Sequence, residues 1–223
     1  MTRTIESRKA IGFPTERREW NAASAIFDDH TLRISGHPVM EDWEAAYMKT
    51  LAQIATTRGG TVLEVGYGMG ISARAIQAHS IDGHVIIECH PDVISRCLRD
   101  FRASVEAGRL RLLTGFWDEI TPLLKDECFD GILFDTYPMN AEELHANHFP
   151  FFREAYRLLK PGGVFTYYSD EAREFSPAHL VKLTEAGFRP SDIDGRICAV
   201  SPPPDCEYWR ETTLLAPIIR KSL

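Results

Sequence analysis

No uninterrupted apolar run in the 223 residues approaches the ~18 needed to cross a bilayer, which excludes a spanning helix. The opening, Met1-Thr-Arg-Thr-Ile-Glu-Ser-Arg-Lys9, carries charges with no apolar stretch behind them, so no secretory leader is expected and the chain reads as cytoplasmic. Cysteine is scarce and unpaired in pattern. Cys89, Cys97, Cys128, Cys198 and Cys206 form an odd set without a C-x-x-C, so reduced, mostly buried thiols are expected rather than a disulfide frame. Positive charge is also short: 25 Lys and Arg against 32 Asp and Glu leave −7, which argues against nucleic acid or an anionic membrane as the main partner. The eight histidines are scattered, and His145 and His148, at helical spacing, have no matched acid or cysteine set, so no metal is expected. Repeats and low-complexity tracts are absent. The only linker-like stretch, Ser201-Pro-Pro-Pro-Asp205, lies too late to divide the chain.

What is present is an alternation of short apolar strands and amphipathic helices, the pattern of a parallel sheet covered on both faces. A helix from about Glu41 to Thr57 precedes a first strand, Thr61–Val65. A helix over Ile71–His79, a strand His84–Glu88, a helix Asp92–Ala107 and a strand Leu110–Thr114 follow. The fourth strand is Phe129–Asp135, and a helix over Ala141–Leu159 is expected to stop at Lys160-Pro-Gly-Gly163 before a fifth strand, Val164–Tyr168. After a helix over Pro177–Ala186, two β-rich pieces, Ile193–Val200 and Tyr208–Ala216, are close enough to form an antiparallel hairpin, with a surface position open to Cys206, Tyr208 and Trp209. Residues 1–40 show no clear periodicity and read as a wrapping arm. At about 150 residues per domain the length allows roughly one and a half domains. It resolves into an arm or lid with its helix, 1–57, and a domain over 58–223.

Leu63-Glu64-Val-Gly66-Tyr67-Gly68-Met69-Gly70-Ile71-Ser72 joins a strand to a helix, where backbone passes close to a ligand and side chains would obstruct it. Ile71 stands where a dinucleotide fingerprint needs its third glycine, so G-x-G-x-x-G fails while G-x-G-x-G holds, which disfavours NAD and FAD. Glu88 ends the second strand at the spacing of an acid that accepts ribose hydroxyls. A tight turn plus a solvated strand end is the purely structural alternative. The set resembles the fingerprint of class I S-adenosylmethionine-dependent methyltransferases, whose seven-stranded, mostly parallel, Rossmann-like sheet closes with an antiparallel hairpin.

Phe134-Asp135-Thr136-Tyr137-Pro138 lies at the carboxyl end of the fourth strand, where open α/β sheets bind ligands. It is similar to the Asp/Asn-Pro-Pro-Tyr/Phe motif of N-methyltransferases acting on planar nitrogens, although a capping Asp is the alternative. With His30 to Met48, Ile86-Ile-Glu-Cys89 and Leu158-Leu-Lys-Pro-Gly-Gly-Val164, the chain from about Trp20 to Pro217 resembles the guanidinoacetate N-methyltransferase family. That resemblance implies S-adenosyl-L-methionine held by Trp20, Met40, Met48, Glu64, the turn Gly66–Ser72, Glu88, Cys89, His90, Trp117 and Asp118. It also implies that Glu44 and Asp135 receive a guanidinium, with Tyr137, Tyr168, Ser169 and Asp170 completing the substrate site.

Two carboxylates suit a planar fork of N–H groups. A guanidinium, with a pKa of ~12 or higher, must lose a proton to react, and Asp135 beside Glu44 is the candidate base. Trp117 is equally a core residue by type, Met40 with Met48 equally a core stripe, and a residue that caps or solvates its helix is the alternative for Glu44. The implied reaction is guanidinoacetate to creatine, in creatine biosynthesis. The segment from Tyr168 to Pro177 is shorter than the family's, and Asp170 and Glu171 open it, which is unfavourable for a substrate carboxylate. A larger guanidino compound, such as arginine or an arginine-derived metabolite or natural product, is therefore the alternative substrate, with arginine in a protein a more distant variant; a non-catalytic S-adenosylmethionine-binding module is the alternative of another class. Monomer and homodimer remain open.

Overall fold

The computed structural model describes residues 13, 16–140 and 143–223. Most of the first fifteen residues of the expected arm, and Ala141 at the expected helix start, lie outside the described residues. The chain begins with helix α1 (Arg17–Ala22) and strands β1 (Ala25–Phe27), β2 (Thr31–Ile34) and β3 (His37–Glu41), which pair antiparallel in that order. These strands of three to five residues are too short to show a period in sequence, and turn chemistry makes them. The Asp28 carboxylate accepts the amides of His30 at 2.7 Å and Thr31 at 2.6 Å. Ser35 and Gly36, with φ of 51° and 79°, close the tight β2–β3 turn.

Helix α2 (Ala45–Ala55) leads into β4 (Thr61–Val65), α3 (Ile71–Gln77), β5 (Gly83–Glu88), α4 (Pro91–Asp100), α5 (Arg102–Glu106) and β6 (Leu110–Thr114). The expected single helix after β5 breaks at Phe101, the cap shared by α4 and α5. A short α6 (Trp117–Ile120) precedes β7 (Phe129–Phe134). The helix expected over 141–159 is confined to α7 (Phe151–Leu158): Pro150 caps it, and residues 143–150 form turns. Strand β8 (Leu159–Tyr167) already includes the Lys160–Gly163 stretch expected to be a stop, because Gly162 N–H donates to the Lys221 carbonyl and Lys221 N–H donates to the Gly163 carbonyl. Helix α8 (Pro177–Glu185), β9 (Ile193–Ala199) and β10 (Thr213–Arg220) complete the chain.

The main sheet has seven strands ordered β6-β5-β4-β7-β8-β10-β9, parallel except for β10. This is the Rossmann-like methyltransferase architecture expected. The second tail strand is β10 at 213–220, not 208–216, because its register sets Thr213 opposite Ala199. Residues 200–212 form the connection, and Cys206, Tyr208 and Trp209, for which the sequence leaves a surface position open, are buried in the core.

Alternate side chains of each strand point to opposite faces. Val62, Ile86 and Leu133 pack with Met48, Leu51 and Ala55 of α2, and Trp20, Leu32 and Met40 join that same cluster. Leu63, Ile87, Ile132 and Phe134 pack on the other face with α7 and α8. The chain order reverses at β4, which has β5 on one side and β7 on the other. Ligands of open α/β sheets enter at such a reversal, beyond the carboxyl ends of the strands.

Candidate active site

A cavity of about 500 Å³ opens at that reversal. Its walls come from three places: the loops after β4, β5, β6 and β7, the α1–β3 region with Glu44, and the segments around 143–150, 168–170 and Tyr208.

Gly66 follows β4 with φ of 90°, and a Cβ there would lie 1.9 Å from the Asp135 carbonyl oxygen. Only glycine lets the β4 and β7 ends approach this closely. Gly68, φ 55°, faces the Met40 sulfur, 3.0 Å from where a Cβ would be, and Met69 N–H donates to that sulfur at 3.3 Å. The turn is therefore a cradle of bare backbone, with Met40 of β3 across from it.

Glu88 borders the cavity at the end of β5 and is 8% exposed. One carboxylate oxygen accepts the amides of Cys89 and His90 at 2.8 and 2.9 Å, and the other accepts Tyr67 N–H at 2.9 Å. This fixes the carboxylate while the second oxygen keeps acceptor capacity toward the cavity. His90 is braced through Nε2 against the Ala23 carbonyl at 2.9 Å. Trp117 borders the cavity and also packs edge-to-face with Phe134 and Phe151, so it is a cavity-wall residue and a core residue at once. Arg17 reaches across from α1 to Asp118 at 2.5 Å and Glu119 at 2.9 Å. Trp20 stacks on Tyr137 with centroids 5.4 Å apart and planes 9° apart. The Tyr137 hydroxyl and His37 Nδ1 lie 2.9 Å apart.

Other residues named from the sequence lie behind the wall. Glu64 is fully buried, accepts the Ser72 hydroxyl and stands 3.0 Å from His84 Nε2, so its part is to hold β4 against α3. Tyr67 is buried and donates its hydroxyl to Asp100 at 2.7 Å. Met48 is fully buried in the core, as are Tyr67 and Ser72, while Met69, Gly70 and Ile71 shape the turn without bordering the cavity. Ser169 donates to the Leu215 carbonyl at 2.7 Å, which anchors the 168–170 segment to β10.

Glu44 and Asp135 both border the cavity, brought together from the end of β3 and the end of β7. Glu44 is 4% exposed and accepts Glu41 N–H at 3.0 Å within a capping box. Burial, and then the Asp135 charge, push its carboxyl up to about 8, with the Glu41 amide and the Tyr208 and Tyr168 hydroxyls pulling the other way. Burial, and then Asp170 and Glu64, push Asp135 up to about 7. At neutral pH this arrangement holds a proton and attracts a cation that can replace it.

Sequence reasoning missed Tyr208, which faces Glu44, and His148, which borders the cavity. His148 is 1% exposed, neither ring nitrogen has a hydrogen-bond partner, and burial lowers it to about 3. It stacks on Tyr167 at 5.1 Å and His179 at 5.0 Å. Burial also raises the Cys89 thiol and holds Cys97 at about 12, so neither is an activated nucleophile.

The family model described as guanidinoacetate N-methyltransferase matches residues 14–222. Among curated relatives, "Protein arginine N-methyltransferase 2" of Yarrowia lipolytica is 32% identical over 139 residues, 59% of this chain and 28% of its own length. The protein of the same name from Emericella nidulans is 33% identical over 185 residues, 78% of this chain and 42% of its own. The chain thus spans between about a quarter and a half of these relatives. Among solved structures, a spermidine synthase in complex with a transition-state analogue aligns with a TM-score of 0.65 at 16% identity, covering 89% of this chain and 73% of the other. The Thermotoga maritima spermidine synthase gives 0.61 at 18%, covering 89% and 72%. These two likenesses bear on fold. Among the described residues no helix is long and apolar enough to cross a membrane.

Proposed function

The chain belongs to the guanidinoacetate N-methyltransferase family, and from that premise we propose that it transfers a methyl group to a guanidino nitrogen of a small substrate, with Glu44 and Asp135 as the receiving acids. The cofactor is S-adenosyl-L-methionine, and the residues on the cavity wall fit it: the bare-backbone turn at Gly66 and Gly68, Glu88 with acceptor capacity left, and the aromatic face of Trp117. When bound, this group supplies an electrophilic methyl on a sulfonium.

The observation that carries the reading is the pair of raised, buried carboxyls sharing one cavity with that turn. Once ionised, Glu44 and Asp135 offer charge-assisted hydrogen bonds to two edges of a planar cation, which fixes one nitrogen for transfer. The guanidinium has no free lone pair while fully protonated. Asp135, raised toward neutrality, is the better-matched base and would take the N–H proton when the bound sulfonium gives up its methyl, the S–C bond breaking as the N–C bond forms. Glu44, held by the Glu41 amide, orients the cation. The packed aromatic wall of Trp20, Tyr137 and Tyr168 keeps water from competing for these carboxylates.

Guanidinoacetate is the substrate the family name points to. A second reading, methylation of arginine, draws on the names of the curated relatives. The test is incubation of the protein with S-adenosylmethionine and a panel of guanidino compounds, read by mass spectrometry for a gain of one methyl. Calorimetry with the cofactor alone runs beside it. Cofactor binding without methylation of any guanidino compound would leave a binding module and end the enzymatic reading.

A further inference from the structure

The end of the cavity beyond the two acids has a chemical polarity of its own. Asp170 borders it with φ of 55°, and His145, φ 62°, places Nδ1 3.0 Å from its carboxylate. Two non-glycine residues in the left-handed region thus meet across one contact, a backbone conformation that Asp and His tolerate better than most. Each nearby side-chain amide already spends an N–H: Asn147 Nδ2 donates to the Thr136 carbonyl at 2.6 Å, and Asn140 Nδ2 to Glu143 at 2.7 Å. Among the described residues the one Arg or Lys on the cavity wall is Arg17, tied to Asp118 and Glu119. No cation of fixed charge therefore faces this end to neutralise a substrate carboxylate.

His148 supplies an independent observation. It is 1% exposed, borders the cavity, and has no partner for either nitrogen, which is a costly state for a buried polar group unless a ligand completes it. Its ring is locked by stacking on Tyr167 and His179. Its lowered pKa keeps it uncharged, so it offers one lone pair and one N–H but no positive charge. The Asp170 oxygens, each able to accept more than one hydrogen bond, complete an acceptor-rich pocket.

We propose that the substrate is a guanidino compound whose far end carries an ammonium, received by Asp170 and His148. This rests on the guanidino reading of Glu44 and Asp135. It selects against guanidinoacetate itself, whose carboxylate would face Asp170 with no cation of fixed charge to compensate. The specificity-determining residues are then on the 143–150 and 168–170 segments, away from the acids that take the guanidinium.

Four probes separate the contributions: 4-aminobutylguanidine, butylguanidine, 4-guanidinobutanoate and guanidinoacetate. The first three share a chain length and differ in tail charge. With the full chain and S-adenosylmethionine, kcat/KM is expected to fall from ammonium to neutral to carboxylate tail, the first step being at least about tenfold. Asp170→Asn, which keeps a residue tolerant of the left-handed region, should shrink the ammonium-over-neutral ratio to within about threefold. His148→Phe, which keeps the aromatic stack, should shrink it as well, and dissociation constants measured with S-adenosylhomocysteine should show the same ratios. Equal turnover of ammonium and neutral tails, a carboxylate preference, or an unchanged ratio in both variants overturns the proposal and leaves the guanidino reading standing. Methylation of none of the four removes that reading and the proposal with it.

Discussion

Binding of a guanidinium to this cavity should release protons, and the number follows from two carboxyls. With Glu44 at about 8 and Asp135 at about 7, the free site at pH 7 holds about 0.9 proton on the first and about 0.5 on the second. A cation that needs both acids ionised therefore displaces about 1.4 protons. By the same arithmetic the fraction of molecules with both acids ionised rises about a hundredfold from pH 6.5 to 8.5, and affinity rises with it. Glu44→Gln leaves only Asp135 to titrate, so the same pH interval should then change affinity only about fourfold. The assay is titration calorimetry of butylguanidine against the protein loaded with S-adenosylhomocysteine, which permits no turnover. Runs in two buffers of different ionisation enthalpy give the proton count directly. Release of no protons, or affinity flat across this interval, would refute the reasoning that burial, with Asp135 beside Glu44 and Asp170 and Glu64 around Asp135, keeps a proton on the pair.

Asp135→Asn should leave S-adenosylmethionine binding within about twofold by calorimetry while lowering turnover by at least about a hundredfold; near-normal turnover removes Asp135 as base. Free-protein stability should respond to Glu44 with a definite sign. Its folded pKa is raised, so its contribution is present below about pH 4.5 and lost as pH rises through about 8. Glu44→Gln should therefore melt higher than the parent at pH 8 by up to about 4 kcal/mol and gain little at pH 5, checked by calorimetric melting at both pH values. Gly68→Ala, at φ 55° and 3.0 Å from the Met40 sulfur, should weaken S-adenosylmethionine binding by about tenfold and cost about 1 kcal/mol in stability. Unchanged binding there would mean that the turn is not the cradle.

The sheet was legible because its strands are short apolar runs separated by glycine turns. Thr61–Val65, Leu110–Thr114 and Phe129–Phe134 stand within a residue of where periodicity puts them. The β1–β3 sheet was not, because three to five residues carry too little alternation, although Ser35-Gly36 is a hairpin signal on inspection. The segment 143–150 reads as helical from its Leu, His and Phe spacing, yet Pro150 and the Asn140–Glu143 hydrogen bonds turn it into a cavity wall. Tyr208 and Trp209 carry amphipathic side chains that fit surface or core, and long-range packing against Trp43 settled the matter for Tyr208. Of the cavity wall, the turn, Glu88 and Asp135 could be placed from spacing and motif, and Glu44 from the family resemblance. His148 could not, since its unpartnered nitrogens are a property of its surroundings and not of the residue.

The hydrogen bond from Met69 N–H to the Met40 sulfur makes the seam between β3 and the glycine turn chemically soft. Oxidation of that thioether adds a polar oxygen at a seam so close that even a Cβ on Gly68 would come within 3.0 Å of the sulfur, and it removes the lone pair that accepts Met69 N–H. Met48, seven residues from the end of β3 and fully buried in the core, lacks the cavity-facing position that would admit an oxidant. Peroxide can thus disable the turn through Met40 while every acid of the site stays intact, and methionine sulfoxide reduction would restore it.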